Sequence, residues 1–243
     1  QSVPISITVE GANILTRSLI IFGQGAIRAH PWLLKEMQAA TDPKPGARKR
    51  FDHAFFSHMG HVISNMVRSL MLGLTGALIT GAPVRGPTRG YFRQMKRMCS
   101  AFSFVSDLVL ITLGGKFKFR EMLSGRLADA LIYLYMCSAV LKRFEDDGRP
   151  EEDLPFVRWA MDDGLYRIQE SLKGVLSNFP VPFIGGLVRM IVFPLGSSYA
   201  IPSDDTGKAI ARVPDGLGLI DASTIPQAGP IALQGITGHA TVG

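Results

Sequence analysis

The residue best placed to do chemistry is Glu10. It precedes Gly11 where a β-branched, polar entry segment (residues 1–9, QSVPISITV) gives way to a helical pattern. A glycine at such a junction lets a ligand approach the backbone closely. Ile5, Ile7, Val9 and Ile14 flank the carboxylate in sequence. Partial removal from water raises a carboxyl pKa and makes it a better general base near neutral pH. Taken alone, the same residue also reads as a glutamate at a helix N-terminus, held by the dipole.

Three histidines form a second group. His58 and His61 lie three apart and His53 one turn earlier. Such spacing could serve a metal, but no carboxylate or cysteine completes a set at helical spacing nearby. They therefore read as packing or interface histidines, and no metal is expected. The acidic run Glu145-Asp146-Asp147, with Glu151, Glu152 and Asp153, reads as a solvated turn rather than a cation site. Cys99 and Cys137 belong to no CxxC pair, which argues against a disulfide framework or zinc ribbon and fits two buried thiols in a reducing compartment. Trp32 and Trp159 read as core or interface residues.

The elements that must position these residues are almost all helical. Ala12–Ile21 carries Ile14, Leu15, Leu19 and Phe22 on one side. A short helix over Pro31–Ala40 starts with proline at its harmless first turn, and residues 41–49 (TDPKPGARK) are a loop. Phe51–Thr80 contains no proline. Its two adjoining stripes, Phe55/Met59/Val62/Met66/Leu70/Leu74 and Phe56/Ile63/Val67/Met71, predict a helix packed on two sides. Further helices are predicted over Gly90–Leu113, Phe119–Phe144 and Pro155–Asn178, the last with Asp153 as N-cap and Val157, Met161, Leu165, Ile168, Leu172 and Val175 inward. Short turns between helices of this length predict an antiparallel bundle. Residues 179–202 are apolar, broken by prolines and glycines, and read as a buried hairpin or a segment dipping into a membrane interface. The expected organisation is residues 1–40 with the Glu-Gly motif, a helical extension over 50–202, and an irregular tail over 203–243.

Composition sets the outer limits. The 243 residues are 47% hydrophobic and 19% charged, enough for a real core. The net charge of +6 and pI near 9.5 come from scattered basic residues without a nucleic-acid-binding signature, so no nucleic-acid partner is expected. A solvated or membrane-facing surface fits better. No apolar run reaches the ~20 residues of a spanning helix. There is no P-loop, no GxGxxG after a strand, no GxSxG elbow and no signal-peptide pattern. The chain opens on Gln1 in mid-pattern and reads as part of something longer.

The string Glu10-Gly11-Ala12-Asn13-Ile14-Leu15-Thr16-Arg17 resembles the acyl-CoA dehydrogenase signature, a Glu-Gly pair before a helix with a polar residue fourth and an arginine eighth. IFGQGAIRAHPW, HMGHVISN, LGLTGALITGAPV, LSGRLADALIYLYMCSAVLKRFEDDGRPEEDLPFVRWAMDD and NFP…VFPLG look like the C-terminal region of the large proteobacterial acyl-CoA dehydrogenases of fatty-acid β-oxidation. The resemblance covers roughly residues 5–215.

What it implies is an FAD-dependent oxidation of acyl-CoA to trans-2-enoyl-CoA. Glu10 would remove the α-proton, Gly11 would lie against the thioester, and Arg17 would stand beside the cofactor or serve packing. Electrons would pass to an electron-transfer flavoprotein. Most flavin contacts would come from an N-terminal part missing from this chain. Ala12 replaces the threonine that many members place against FAD, and Ile14 replaces a glutamine or aspartate. By analogy with very-long-chain members, the helices beyond Arg17 would mediate dimer contacts or membrane docking. The expected location is cytoplasmic, with peripheral contact at the inner membrane. The competing reading is a non-catalytic helical membrane-peripheral or interaction module.

Overall fold

The computed structural model describes Gly25, Arg28 and residues 30–203. Glu10, Gly11, Arg17, the helix expected over Ala12–Ile21 and the tail after residue 203 lie outside the described residues. Within them the chain is all-α and contains no strand. Six α-helices follow in order: α1 (Leu33–Thr41), α2 (Ala47–Leu74), α3 (Arg89–Leu113), α4 (Glu121–Asp146), α5 (Leu154–Ser177) and α6 (Pro182–Val192). Short 3-10 turns over Gly114–Phe119 and Glu151–Asp153 lead into α4 and α5.

The core lies where α3, α4 and α5 meet. The periodicity of α5 is realised in full: Val157, Met161, Leu165, Ile168, Leu172 and Val175 are all buried. They meet Leu127, Leu134, Cys137 and Leu141 of α4 and Met98, Val105 and Val109 of α3. The α4–α5 pairing is the most extensive among the described helices, and Gly164 sits in it with its backbone against Cys137 Sγ. Burial, the main cause, pushes the Cys137 thiol up to about 12, so it stays neutral and packs as an apolar group. Cys99, expected to be buried as well, is exposed. It falls on the side of α3 away from the α4–α5 core.

Helix α3 with the turn after it (Arg89–Phe117) is long and apolar enough to cross a membrane by length and composition, although no uninterrupted apolar run of that length occurs in the sequence. Here its apolar face is core, packed by α2, α4 and α5.

Helix α2 stops at Leu74, short of Thr80. Gly76 and Ala77 take left-handed backbone (φ +57° and +64°), and the Ala77 amide donates back to Leu72 O at 2.8 Å. This is the 6→1 bond of a glycine-centred helix stop. Helix α2 also departs from the expectation of two buried sides. Its inward face is Ala54, His58, Val62, Asn65, Ser69, Leu72 and Gly73, while Phe56, Ile63, Val67 and Met71 are exposed among the described residues. Of the first expected stripe, Met59, Val62 and Met66 reach the core; the second faces out, because the polar stripe pairs with polar partners on α1 and α3.

Residues 179–202 are not a hairpin: 182–192 form helix α6, followed by an extended return. Pro182 stands at the helix start, where it breaks nothing. Gly185 permits close approach: a Cβ there would lie 2.5 Å from Leu176 O. The return segment is held by Gln169, fully buried on α5. Its Oε1 accepts the amides of Ser198 and Tyr199 at 2.8 and 3.1 Å, and its Nε2 donates to Tyr199 O at 2.9 Å. Gln169→Leu would leave those three backbone groups without their partner. We expect a loss of roughly 2 kcal/mol in urea unfolding, from the penalty on buried unpaired polar groups.

The acidic run is more structured than a solvated turn. Lys142, Arg143 and Arg149 pair with Asp146, Asp147 and Glu145 at helical spacing. Glu145 also accepts from Thr88 Oγ1, tying the start of α3 to the end of α4. Asp153 occupies the cap position of α5, but its side chain makes no cap hydrogen bond.

Candidate functional site

A tight group of buried and part-buried ionisable side chains lies where α1, α2 and α3 converge. His30 precedes α1, Glu36 lies on α1, His58, His61 and Asn65 on α2, and Ser103 and Asp107 on α3. The spacing 58–61–65 puts one α2 face toward α3, as i, i+3, i+7 positions share a side. Ser103 and Asp107 face back at i, i+4.

Each imidazole has a defined role. His30 Nδ1 accepts the amides of Trp32 and Leu33 at 3.2 and 3.0 Å, satisfying two of the orphan donors at the start of α1. A neutral His30 therefore carries its proton on Nε2, which lies 3.1 Å from Asp107 Oδ1 without hydrogen-bond alignment. His58 Nδ1 lies 2.8 Å from Glu36 Oε1. A carboxylate can only accept, so this nitrogen holds the proton and Nε2 keeps a free lone pair. That Nε2 is buried and makes no hydrogen bond. His61 Nε2 accepts from Asn65 Nδ2 at 2.9 Å and lies 3.2 Å from Ser103 Oγ. Its pKa is lowered, first by burial and then by His30, His58 and Arg68, against an opposing pull from Asp107.

The rings of His30 and His58 are 4.5 Å apart and those of His30 and His61 5.5 Å. Asp107 is 2% exposed, and its Oδ2 is buried without a hydrogen bond. One donor atom each from His30, His58 and Asp107 lie within 4.8 Å of one another. Beside this knot runs a cleft of about 290 Å³ between α2 and α3, lined by His61, Arg68, Lys96 and Ser103 among others.

Of the histidines singled out in the sequence, His58 and His61 are thus brought together and His53 is not. His53 instead meets Trp32 edge-on at 6.1 Å. The sequence offered no carboxylate at helical spacing because the two that matter come from other helices, Glu36 and Asp107. His30 stands just ahead of α1, not on the helix that carries the other two histidines. A mid-helix aspartate in an otherwise apolar run, as Asp107 is, was the available signal. The three site residues of the sequence reading, Glu10, Gly11 and Arg17, lie outside the described residues.

No solved structure matches the chain. The family described as acyl-CoA dehydrogenase, C-terminal, bacterial type matches residues 27–215, which takes in all six helices and the histidine knot. The chain belongs to that bacterial-type acyl-CoA dehydrogenase C-terminal family.

Proposed function

We propose that this chain is the C-terminal helical part of an FAD-dependent acyl-CoA dehydrogenase. It would oxidise acyl-CoA to trans-2-enoyl-CoA, the first step of fatty-acid β-oxidation, in the cytoplasm. The observation that carries the reading is the family match over 27–215 directly behind the Glu10-Gly11 pair. FAD, when bound, supplies the acceptor for the β-hydrogen.

The chain's own contribution is proton removal. Glu10 takes the α-proton of the thioester, Gly11 leaves room for the thioester beside the backbone, and Arg17 braces the cofactor side. Electrons leave to an electron-transfer flavoprotein, and the enzyme works as a homodimer. The test is acyl-CoA oxidation by the flavin-loaded protein carrying Glu10→Gln. Near-normal turnover would end this reading.

One feature favours a peripheral membrane role alongside it. Phe183, Leu187 and Met190 project from α6 at 81, 46 and 63% exposure, with Leu195 just beyond and Arg189 among them. An apolar helix face with a cation suits an anionic headgroup layer. The protein should float with phosphatidylglycerol vesicles more than with phosphatidylcholine vesicles. Phe183→Ser with Met190→Ser should reduce flotation severalfold, and flotation unaffected by that pair of changes would count against membrane docking through α6.

A further inference from the structure

We propose that His30, His58 and Asp107 form a binding site for one divalent transition-metal ion of the zinc class. This inference is independent of Glu10 and of the oxidation assigned above. Two imidazoles and one carboxylate are a recognised donor set for such ions. Three observations point to a cation rather than to simple packing.

The first is charge. Asp107 is almost wholly buried, yet its Oδ2 makes no hydrogen bond and its Oδ1 lies 3.1 Å from the His30 ring edge. A buried carboxylate needs a counter-charge, and a neutral His30 supplies none. The second is tautomer. The Glu36 contact fixes the His58 proton on Nδ1, leaving Nε2 buried, unpartnered and in the ligating form. A carboxylate on the far nitrogen is the usual outer partner of a metal-bound histidine, holding ring and tautomer in place. The third is convergence. The donor atoms come from three separate segments and already lie within 4.8 Å of one another. Donors bound at about 2.0–2.2 Å sit roughly 3.5 Å apart, so the set closes by about 1 Å on loading.

His30 is the weakest of the three. Ligation through Nε2 moves its ring proton to Nδ1, where it displaces the amides of Trp32 and Leu33 from their acceptor. His58 and Asp107 therefore carry most of the affinity. Glu36 is a positioning residue that acts through His58. His61 stays outside the ligand set, because its Nε2 is already taken by Asn65. A fourth ligand would be water.

The test uses the full chain, freed of metal by a chelator and titrated with Co²⁺ and Zn²⁺. Co²⁺ reports its ligand field in the visible spectrum, and Zn²⁺ competes it away. We expect one equivalent bound per chain. Asp107→Asn and His58→Gln should each weaken binding at least tenfold, and His53→Gln should leave it unchanged. Less than a tenfold effect from either ligand change, loss of binding in His53→Gln, or no stoichiometric binding would overturn the site. X-ray absorption of the Zn²⁺-loaded, unaltered chain avoids any folding defect in the variants. Two imidazoles in the ion's shell support the assignment, and fewer overturn it.

Discussion

Replacing Glu10 by glutamine in the flavin-loaded enzyme should cut turnover of octanoyl- and palmitoyl-CoA by about a thousandfold or more. Positioned proton acceptors contribute roughly 10²–10⁴-fold, and a thousandfold loss is about 4 kcal/mol of barrier. Glutamine keeps the shape of the side chain but cannot accept the α-proton at working pH. A thioester α-proton is too weakly acidic for water to take over. KM should change little, because binding of the coenzyme A and acyl moieties does not need the charge. A matching loss of kcat and kcat/KM is the mark of an interaction made only in the transition state. Glutamine is nearly isosteric with glutamate, so the variant should retain the parent's helicity and thermal midpoint. A variant that oxidises substrate at more than a tenth of the normal rate would show that another acid does this work.

The largest stability effect should come from Gly164. Its φ is not in the left-handed region, so the glycine is there for space rather than for backbone freedom. Any Cβ at this position would overlap Cys137 Sγ across the α4–α5 seam. The surrounding Leu134, Leu141, Met161, Leu165 and Ile168 are all at most 5% exposed. The seam therefore has nowhere to expand without opening the centre of the core. Gly164→Leu should cost about 3 kcal/mol or more, lowering the thermal midpoint of a domain this size by roughly 10 °C. Urea denaturation followed by circular dichroism measures it.

A double-mutant cycle separates overlap from other causes. Gly164→Ala alone sets the clash against a helix-propensity gain of about 1 kcal/mol. Adding Cys137→Ala removes the sulfur and should recover much of the loss, with a coupling of about 1 kcal/mol or more. Strictly additive effects would mean that the two side chains do not compete for the same space.

The exposed apolar faces follow from the same packing logic. Helix α2 turns its polar face inward, toward Glu36, Ser103 and Asp107, and leaves Phe56, Ile63, Val67 and Met71 outward. With Phe183 and Met190 on α6, this gives the described body more exposed large apolar side chains than scattered singles would explain. Such faces are the places where the proposed lipid or protein contacts would form.

The sequence by itself determined the helices of the core and the family. Helix α5 was legible residue by residue, because one face contacts apolar partners along its whole length and the 3.6-residue period survives intact. The stops at Gly114 and before Pro150 were legible because backbone conformation there is a local property of glycine and proline. Only tertiary structure decided which stripe of α2 faces in, since that depends on polar partners 22 to 49 residues away rather than on hydrophobicity. It likewise turned residues 182–192 into a helix by giving Gly185 a backbone carbonyl to pack against. The histidine knot follows the same rule. His58 and His61 share a helix and could be paired by spacing, but His30, Glu36 and Asp107 come from other segments, and no local pattern records which helices will meet.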